Sequence, residues 1–369
     1  MESLNPDTGH VNLTGHGISE IYLVEMGHCR VPVRWAIVRG KDTIQHPMRS
    51  GRWFQTLLIL IALAWLGSCQ RREEVVVFHA ASLRRLMADA AQRFHQAHPT
   101  LTVRLEPSGS QVAARKVSEL GLRADFVAVA DAALIDKIMI PGHATWNLEF
   151  ATNEIVLAHG QHSPMTGEIT AENWPAILLR PGIRLGRSNP DTAPLGYHTL
   201  FVWQLAEKSG AFGQPGVDLA ARLVNVVPER FVAVDETELL VFLESRAVDY
   251  AFVYRSSAED HHLKFVELPA TLNLSRRDLA ETYATVEVEV RMKQSQDKAK
   301  LRGQPIIYGF TIPANARHPE QARAFAEFLL GPDGQMLSRT AGFQPLAPAL
   351  TRQWGNLPAG LRRFSAAIP

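Results

Sequence analysis

Four points in this chain combine Ser, Gly, Thr or Asp where an apolar run gives way to helical spacing. They are Ala81-Ser82, Ser108-Gly109-Ser110, the stretch from Ser188 to Gly196, and Asp235-Glu236-Thr237. The first turn of a helix presents free backbone N–H groups and a partial positive charge. Several such turns aimed at one cleft bind an anion, and hydroxyls add donors without adding counter-charge. Any one junction alone reads as an ordinary N-cap. The case for anion binding rests on the set.

The elements that must carry these junctions follow from periodicity. Val75 to Phe78, Leu101 to Leu105 and Ala124 to Val129 are apolar, β-branched runs of the kind found in strands covered on both faces. Ser82 opens a helix, with Leu83, Leu86, Met87, Ala90 and Phe94 at helical spacing, and Pro99 stops it. A second helix is predicted from Val112 to Leu120. Further along, Phe150 to Ala158, Arg184 to Ser188, Phe231 to Val234, Asp249 to Tyr254 and Ile306 to Ile312 read as strands. Helices are predicted over Asn173 to Leu178, after Tyr197, after Asp235, and from His318 to Leu330. Strands alternating with helices imply an α/β fold with mostly parallel sheets, whose ligand sites lie beyond the carboxyl ends of the strands. Residues 276–304 are rich in charge and Gln and read as a solvated helix or an excursion.

The front of the chain speaks to location. Arg49 and Arg52 precede an uncharged apolar run from Leu57 to Leu66, which Leu66-Gly67-Ser68-Cys69 closes. The run is short for a bilayer span and has the order of an export signal. It resembles a lipoprotein signal, in which Cys69 is lipidated and becomes the first mature residue. Residues 48–68 are then removed. Residues 1–47 are read as an extension from an early start codon, translation beginning at Met48, or as a disordered cytoplasmic segment. Stable tethering needs the several acyl chains of a lipoprotein.

The whole sequence has 369 residues, a formal charge of +1 and two cysteines, of which only Cys69 falls in the mature part. The roughly 300 residues left after removal of the signal are enough for one large or two moderate α/β lobes. The balanced charge gives no basis for a nucleic-acid partner, and a disulfide framework is excluded. His261-His262 beside Asp260 reads as a solvated pair, and no Cys/His spacing suits zinc. No phosphate loop, repeat or nucleophile-plus-base motif is present. His79, Asp131 and Glu236 are the residues an acid–base enzyme would have to use.

Beyond these local signals, the chain resembles the molybdate/tungstate-binding proteins of ABC importers, especially the tungstate-type branch. The matching stretches are Phe78-His-Ala-Ala-Ser-Leu83, Ser108-Gly-Ser110, Ala124-Asp125 with Ala130-Asp131, Phe150-Ala-Thr-Asn153, Pro194-Leu-Gly-Tyr197, Glu236-Thr-Glu-Leu239, Asp249 to Tyr254, and Tyr308 to Pro313. The resemblance implies a two-lobed type II periplasmic-binding-protein fold with a hinged cleft. Residues 73–150 and 265–350 would form lobe 1, residues 151–264 lobe 2, and 351–369 a tail. Phe150 to Val156 and the strand near Pro313 would be the crossings.

The same resemblance assigns roles. Ser82 and Ser108 would be hydroxyl donors from lobe 1, assisted by backbone N–H groups near Gly109 and Ser110. Ala193 and its neighbours would offer backbone N–H from lobe 2, Tyr254 would stand close to the ligand, and Glu236 would coordinate the metal of the oxyanion. One departure stands out. Where the branch reads Asp-Pro-x-Gly-Tyr-Arg, this chain has Ala193-Pro-Leu-Gly-Tyr-His198, so a second carboxylate is missing. Asp191 is the nearest replacement. A tetrahedral anion held only by hydrogen bonds stays open beside metal coordination, and in that case Glu236 is a first-turn acid.

The expected function is capture of molybdate or tungstate by a lipid-anchored monomer, in the periplasm or on the outer face of the cytoplasmic membrane, with an outer-membrane anchor as a variant. The ligand would pass to an ABC permease, with no cofactor and no enzymatic step. Three alternatives remain at this stage: another anion such as sulfate, phosphate or a small organic acid; a membrane-tethered ligand sensor; and an enzyme.

Overall fold

The computed structural model describes residues 22–26, 29–33, 73–210, 218–291 and 298–368. The chain divides into two units, Met1–Cys69 and Gln70–Pro369. In the first, Tyr22–Met26 and Cys29–Val33 form an antiparallel hairpin pairing Tyr22 with Val33. The export-signal run and Cys69 lie outside the described residues.

The second unit opens with β1 (Glu73–Ala80), a short 3-10 turn at Ala81–Leu83, and α1 (Arg84–Ala97). Next come β2 (Leu101–Ser108), α2 (Ser110–Ser118) and β3 (Phe126–Val129). Two more strands, β4 (Leu148–Thr152) and β5 (Ile155–His159), lead to α3 (Trp174–Leu178), β6 (Leu185–Ser188) and α4 (Pro194–Ser209). Then follow α5 (Leu219–Val226), β7 (Val232–Ala233), α6 (Glu236–Glu244), β8 (Tyr250–Tyr254), α7 (Arg255–Asp260) and β9 (Lys264–Glu267). The chain ends through α8 (Ala280–Tyr283), β10 (Glu287–Arg291), β11 (Lys298–Arg302), β12 (Ile307–Thr311), α9 (Pro319–Leu330), α10 (Pro332–Thr340), β13 (Gln344–Thr351), α11 (Ala359–Arg362) and β14 (Ser365–Ala367).

Two sheets organise these elements into two lobes. One has the order β14-β13-β4-β12-β3-β1-β2, the other β9-β5-β8-β6-β7. The sheets are mixed rather than mostly parallel. Strands β2, β1 and β3 run parallel, as do β8, β6 and β7. Strand β12 runs antiparallel to β3 and β4, and β5 antiparallel to β8 and β9. The reason is topological. β5 and β12 are the strands that bring the chain into a lobe from the hinge, opposite in sense to the strands built by crossover helices, whereas β4 and β9 carry it back toward the hinge in the same sense as those strands.

The run predicted as one strand, Phe150 to Ala158, is such a passage and serves both sheets. It breaks at Asn153-Glu154, where the Asn153 side chain accepts the Glu154 N–H at 2.9 Å. The return passage runs beside it: Ile155 N–H donates to Asn273 C=O and Ile306 N–H to Leu274 C=O, both at 2.9 Å. The strand ending before Pro313 therefore meets the hinge at its Ile307 end. Residues 276–304 are not one solvated helix: they hold a short helix and the hairpin β10–β11, closed by Lys298–Glu289 and Lys300–Glu287 ion pairs. The tail past residue 350 contributes β14 to the larger sheet.

Burial explains why the apolar runs are continuous. In β1 and β3, Val75, Val77, Phe126 and Ala128 point into one core, and Phe78, Val127 and Val129 into another on the opposite face. Both faces are covered, by α1 and α9 on one side and α2 on the other, so neither face needs polar residues. Each such side chain contributes about 1.5–3 kcal/mol on burial. Among the described residues, no helix is long and apolar enough to cross a membrane.

Candidate anion site between the lobes

The serine junctions of the larger lobe sit at the carboxyl ends of β1 and β2. Ser82 lies in the turn that opens α1, half-buried, and its Oγ accepts the Tyr308 hydroxyl at 2.9 Å. Ser108 ends β2. Its hydroxyl makes only a 3.4 Å contact to the Gly109 carbonyl, so its proton is nearly uncommitted. Ser110, the first residue of α2, is buried, and its Oγ accepts the Ala130 N–H at 2.9 Å. That bond ties the helix start to the end of β3 and fixes where the free N–H groups point.

The smaller lobe presents its own helix starts. Ala193 caps α4, but its N–H donates to the Asn189 carbonyl at 3.1 Å, and Pro194 has no N–H to offer. Leu195 carries the first N–H of this turn without a described partner. Asp191, the nearest replacement for the missing carboxylate, accepts the Arg291 N–H at 2.7 Å and so anchors the β10–β11 hairpin.

Glu236 is the first residue of α6 and 4% exposed. Its Oε1 accepts the Tyr254 N–H at 3.2 Å. Its Oε2 is buried without a described hydrogen bond of normal geometry. Burial pushes this carboxyl up to about 8, against the opposing pull of the Ser257 hydroxyl and the Tyr254 N–H. Asp235, not Glu236, is the capping side chain, accepting the Glu238 N–H at 3.1 Å. Glu236 therefore has no capping duty that explains its burial.

Tyr254 ends β8, fully buried, with its hydroxyl 2.9 Å from His198 Nδ1. Burial pulls His198 down to about 3, so it is neutral where the resembling branch carries arginine.

These groups meet along the seam between the lobes. Ser82 and Glu236 line a common cavity of about 20 Å³, with Arg84, Thr237, Ser256 and Ser257. A Cβ on Gly109 would stand 2.7 Å from the Thr192 carbonyl and 3.7 Å from Asp235 Cβ, so the Ser108–Ser110 turn faces both helix starts of the other lobe. Direct bonds also cross the seam. Tyr197 donates to Asp131 at 2.6 Å, Gln111 to the Pro190 carbonyl at 3.2 Å, and Arg84 to the Thr237 hydroxyl at 3.2 Å. The lobes are closed.

Several contributors were not selected from sequence. Tyr308 and Asn153 belong to motifs that carry the family resemblance, but a tyrosine in an apolar strand reads as core. Asp131 does cap the end of β3, accepting the Ala133 N–H at 3.0 Å, and it also receives Tyr197 and Gln304. His79 is buried, pulled down to about 4 by that burial, and bonded to the Ala80 carbonyl. No described hydrogen bond joins His79, Asp131 and Glu236, so they form no acid–base relay. Among the described residues, no group of three or more His, Cys, Asp or Glu is placed to hold a metal ion.

Comparison with known proteins gives the family and the fold. Residues 75–344 match the family model described as bacterial extracellular solute-binding protein. The chain belongs to this family. It is 32% identical over 345 residues to a molybdate/tungstate-binding protein, WtpA, of Pyrococcus abyssi, covering 85% of this chain and 98% of that one. It is 38% identical over 275 residues to an uncharacterised solute-binding protein of Petrotoga mobilis, covering 74% and 84%. In fold it is similar to the periplasmic molybdate-binding protein of Azotobacter vinelandii, with a TM-score of 0.53, 17% identity and coverage of 73% and 98%. The sulfate-binding protein SubI of Mycobacterium tuberculosis gives 0.55, 18%, and 79% and 90%. The two-lobed α/β architecture is that of a type II periplasmic binding protein.

Proposed function

We propose that this solute-binding protein captures molybdate or tungstate in the seam between its lobes and delivers it to an ABC permease. One observation carries the reading: two serine-bearing junctions of one lobe oppose two helix starts of the other, and the carboxyl between them, Glu236, is buried with its Oε2 left without a hydrogen bond of normal geometry. Donors alone suit any tetrahedral oxyanion. A carboxylate is tolerated beside a dianion when it binds the central atom, and only a metal oxyanion has room for that. The relationship to the Pyrococcus abyssi protein supports the same ligand. The missing carboxylate at Ala193 favours a second reading, a tetrahedral anion such as sulfate held by hydrogen bonds alone.

Ser82→Ala and Ser108→Ala test the site. Each removes one bond to a charged acceptor, worth roughly 1.5–3 kcal/mol, so each is expected to weaken tungstate binding by about one to two orders of magnitude in titration calorimetry. Folding should barely change. Wild-type binding of tungstate, molybdate, sulfate and phosphate by both variants would place the site elsewhere.

The reading includes membrane tethering through Cys69 on the extracytoplasmic side, as a monomer. Cys69→Ala is expected to abolish labelled palmitate incorporation and to release the protein from membranes or block its maturation. Equal labelling of wild type and variant would exclude lipidation at this cysteine.

A further inference from the structure

We propose that Tyr308 and Asn153 orient the Ser82 hydroxyl as an obligate donor and so bias the site toward fully deprotonated oxyanions. The inference rests on the reading of Ser82 as an oxyanion ligand. It concerns two residues of the hinge strands that touch no ligand themselves.

The bonds run in one direction. The Asn153 side-chain oxygen accepts the Glu154 N–H at 2.9 Å, which fixes the amide and turns Nδ2 inward. Asn153 Nδ2 donates to the Ser256 hydroxyl at 2.8 Å and to the Tyr308 hydroxyl at 3.4 Å. Tyr308 donates in turn to Ser82 Oγ at 2.9 Å. Tyr308 is fully buried and Asn153 is 3% exposed, so water does not compete for these bonds. Burial and the neighbouring Glu236 push the Tyr308 phenol well above its ordinary value, so it keeps its proton.

A serine hydroxyl has one proton and two lone pairs. Tyr308 occupies a lone pair of Ser82, and the Ser82 proton has no described acceptor. That proton is left for an anion. Tungstate, molybdate and sulfate offer only acceptors near neutral pH, whereas phosphate still carries a proton that needs an acceptor of its own. Chained hydroxyls also polarise one another, which strengthens the last donor. Asn153 sits where the first passage between lobes breaks, and its amide reaches Ser82 through Tyr308 while also donating to Ser256. The Ser82 donor is therefore set from the hinge.

Tyr308→Phe frees the lone pair on Ser82 while keeping the ring. In calorimetry at neutral pH, tungstate affinity is expected to fall about tenfold while phosphate affinity holds or rises, so the tungstate-to-phosphate ratio falls at least tenfold. Asn153→Asp keeps the side-chain volume and gives Tyr308 an acceptor, which draws its proton away from Ser82. The same drop in ratio is expected, and this variant carries the test if Tyr308→Phe does not fold. A purely structural role would weaken all four anions alike. Unchanged ratios in both variants, with wild type binding tungstate, overturn this proposal alone. Failure of wild type to bind any of the four anions overturns the oxyanion reading, and this proposal with it.

Discussion

Glutamine in place of Glu236 is expected to lower tungstate and molybdate affinity by about 100-fold and to leave sulfate affinity unchanged or raised. The magnitude is that of losing one charged ligand in a buried site. The direction follows from chemistry: tungsten and molybdenum accept an additional oxygen ligand, and sulfur does not. Sulfate gains no coordination bond from Glu236: ionised, the carboxyl repels the dianion, and protonated, it donates a hydrogen bond that the glutamine amide can replace. If Glu236 served only as a first-turn acid, glutamine would leave tungstate binding unchanged or tighten it. Titration of the variant with all three anions separates these outcomes, and a parallel loss for sulfate would make Glu236 structural.

The same residue gives a pH dependence to the closed, empty protein. Its carboxyl is raised from 4.5 to about 8 by burial. Between those values the folded closed state holds a proton that the unfolded chain has released, so stability falls as pH rises through that window. The contribution is fully present below the lower value and lost above the upper one. The difference corresponds to at most about 5 kcal/mol, less whatever cleft opening relieves. Thermal melts of unliganded protein should show a steeper decline toward alkaline pH in wild type than in Glu236→Gln. Identical slopes would mean that Glu236 is hydrated in solution.

Alanine at Gly109 is expected to lower the affinity for every oxyanion by about 100-fold while leaving the unliganded fold within roughly 1 kcal/mol of wild type. The backbone at Gly109 has a φ of −59°, which any residue adopts. The obstacle is steric and belongs to the closed state: the new Cβ would lie 2.7 Å from the Thr192 carbonyl. The atom it meets is backbone, so no side chain can swing away. A wedge there holds the lobes apart and removes half of the ligand's donors together. Small-angle scattering should show that tungstate contracts wild type but not Gly109→Ala. Wild-type affinity in the variant would mean that the lobes close by another path. The two substitutions differ in signature: Glu236→Gln discriminates among anions, and Gly109→Ala does not.

The elements legible in the sequence were those with a local cause. Val75 to Phe78 and Ala124 to Val129 are buried on both faces, so composition alone marks them, and Leu86, Met87, Ala90 and Phe94 announce α1 by spacing. What escaped depends on partners far along the chain. Whether a strand enters parallel or antiparallel depends on which passage delivers it, so the mixed sheets carry no local signature. The β10–β11 hairpin did have one, the alternation Glu287-Val-Glu-Val-Arg291, but its exposed charges masked the period of two.

The site divides the same way. Ser82, Ser108 and Glu236 could be named as candidates because Ser, Gly and acid at a strand-to-helix junction are visible in order. The helix predicted after Tyr197 begins four residues earlier, at Pro194 with Ala193 as its cap, and the turn from Asn189 consumes the Ala193 N–H, which only the folded backbone reveals. Asp191 lies close in sequence, but its carboxylate is committed to Arg291, a hundred positions on. Tyr308 and Tyr197 look like core residues because their rings are core, and only their hydroxyls reach the seam.

The central claim is that the seam between the lobes is an oxyanion site with Glu236 as its selectivity element. X-ray absorption at the metal edge of the tungstate-bound protein addresses it most directly. The account predicts a metal shell with an oxygen contact beyond the four of free tungstate, lost in Glu236→Gln. A bound tungstate with four oxygens and no longer shell in the wild-type protein would contradict it.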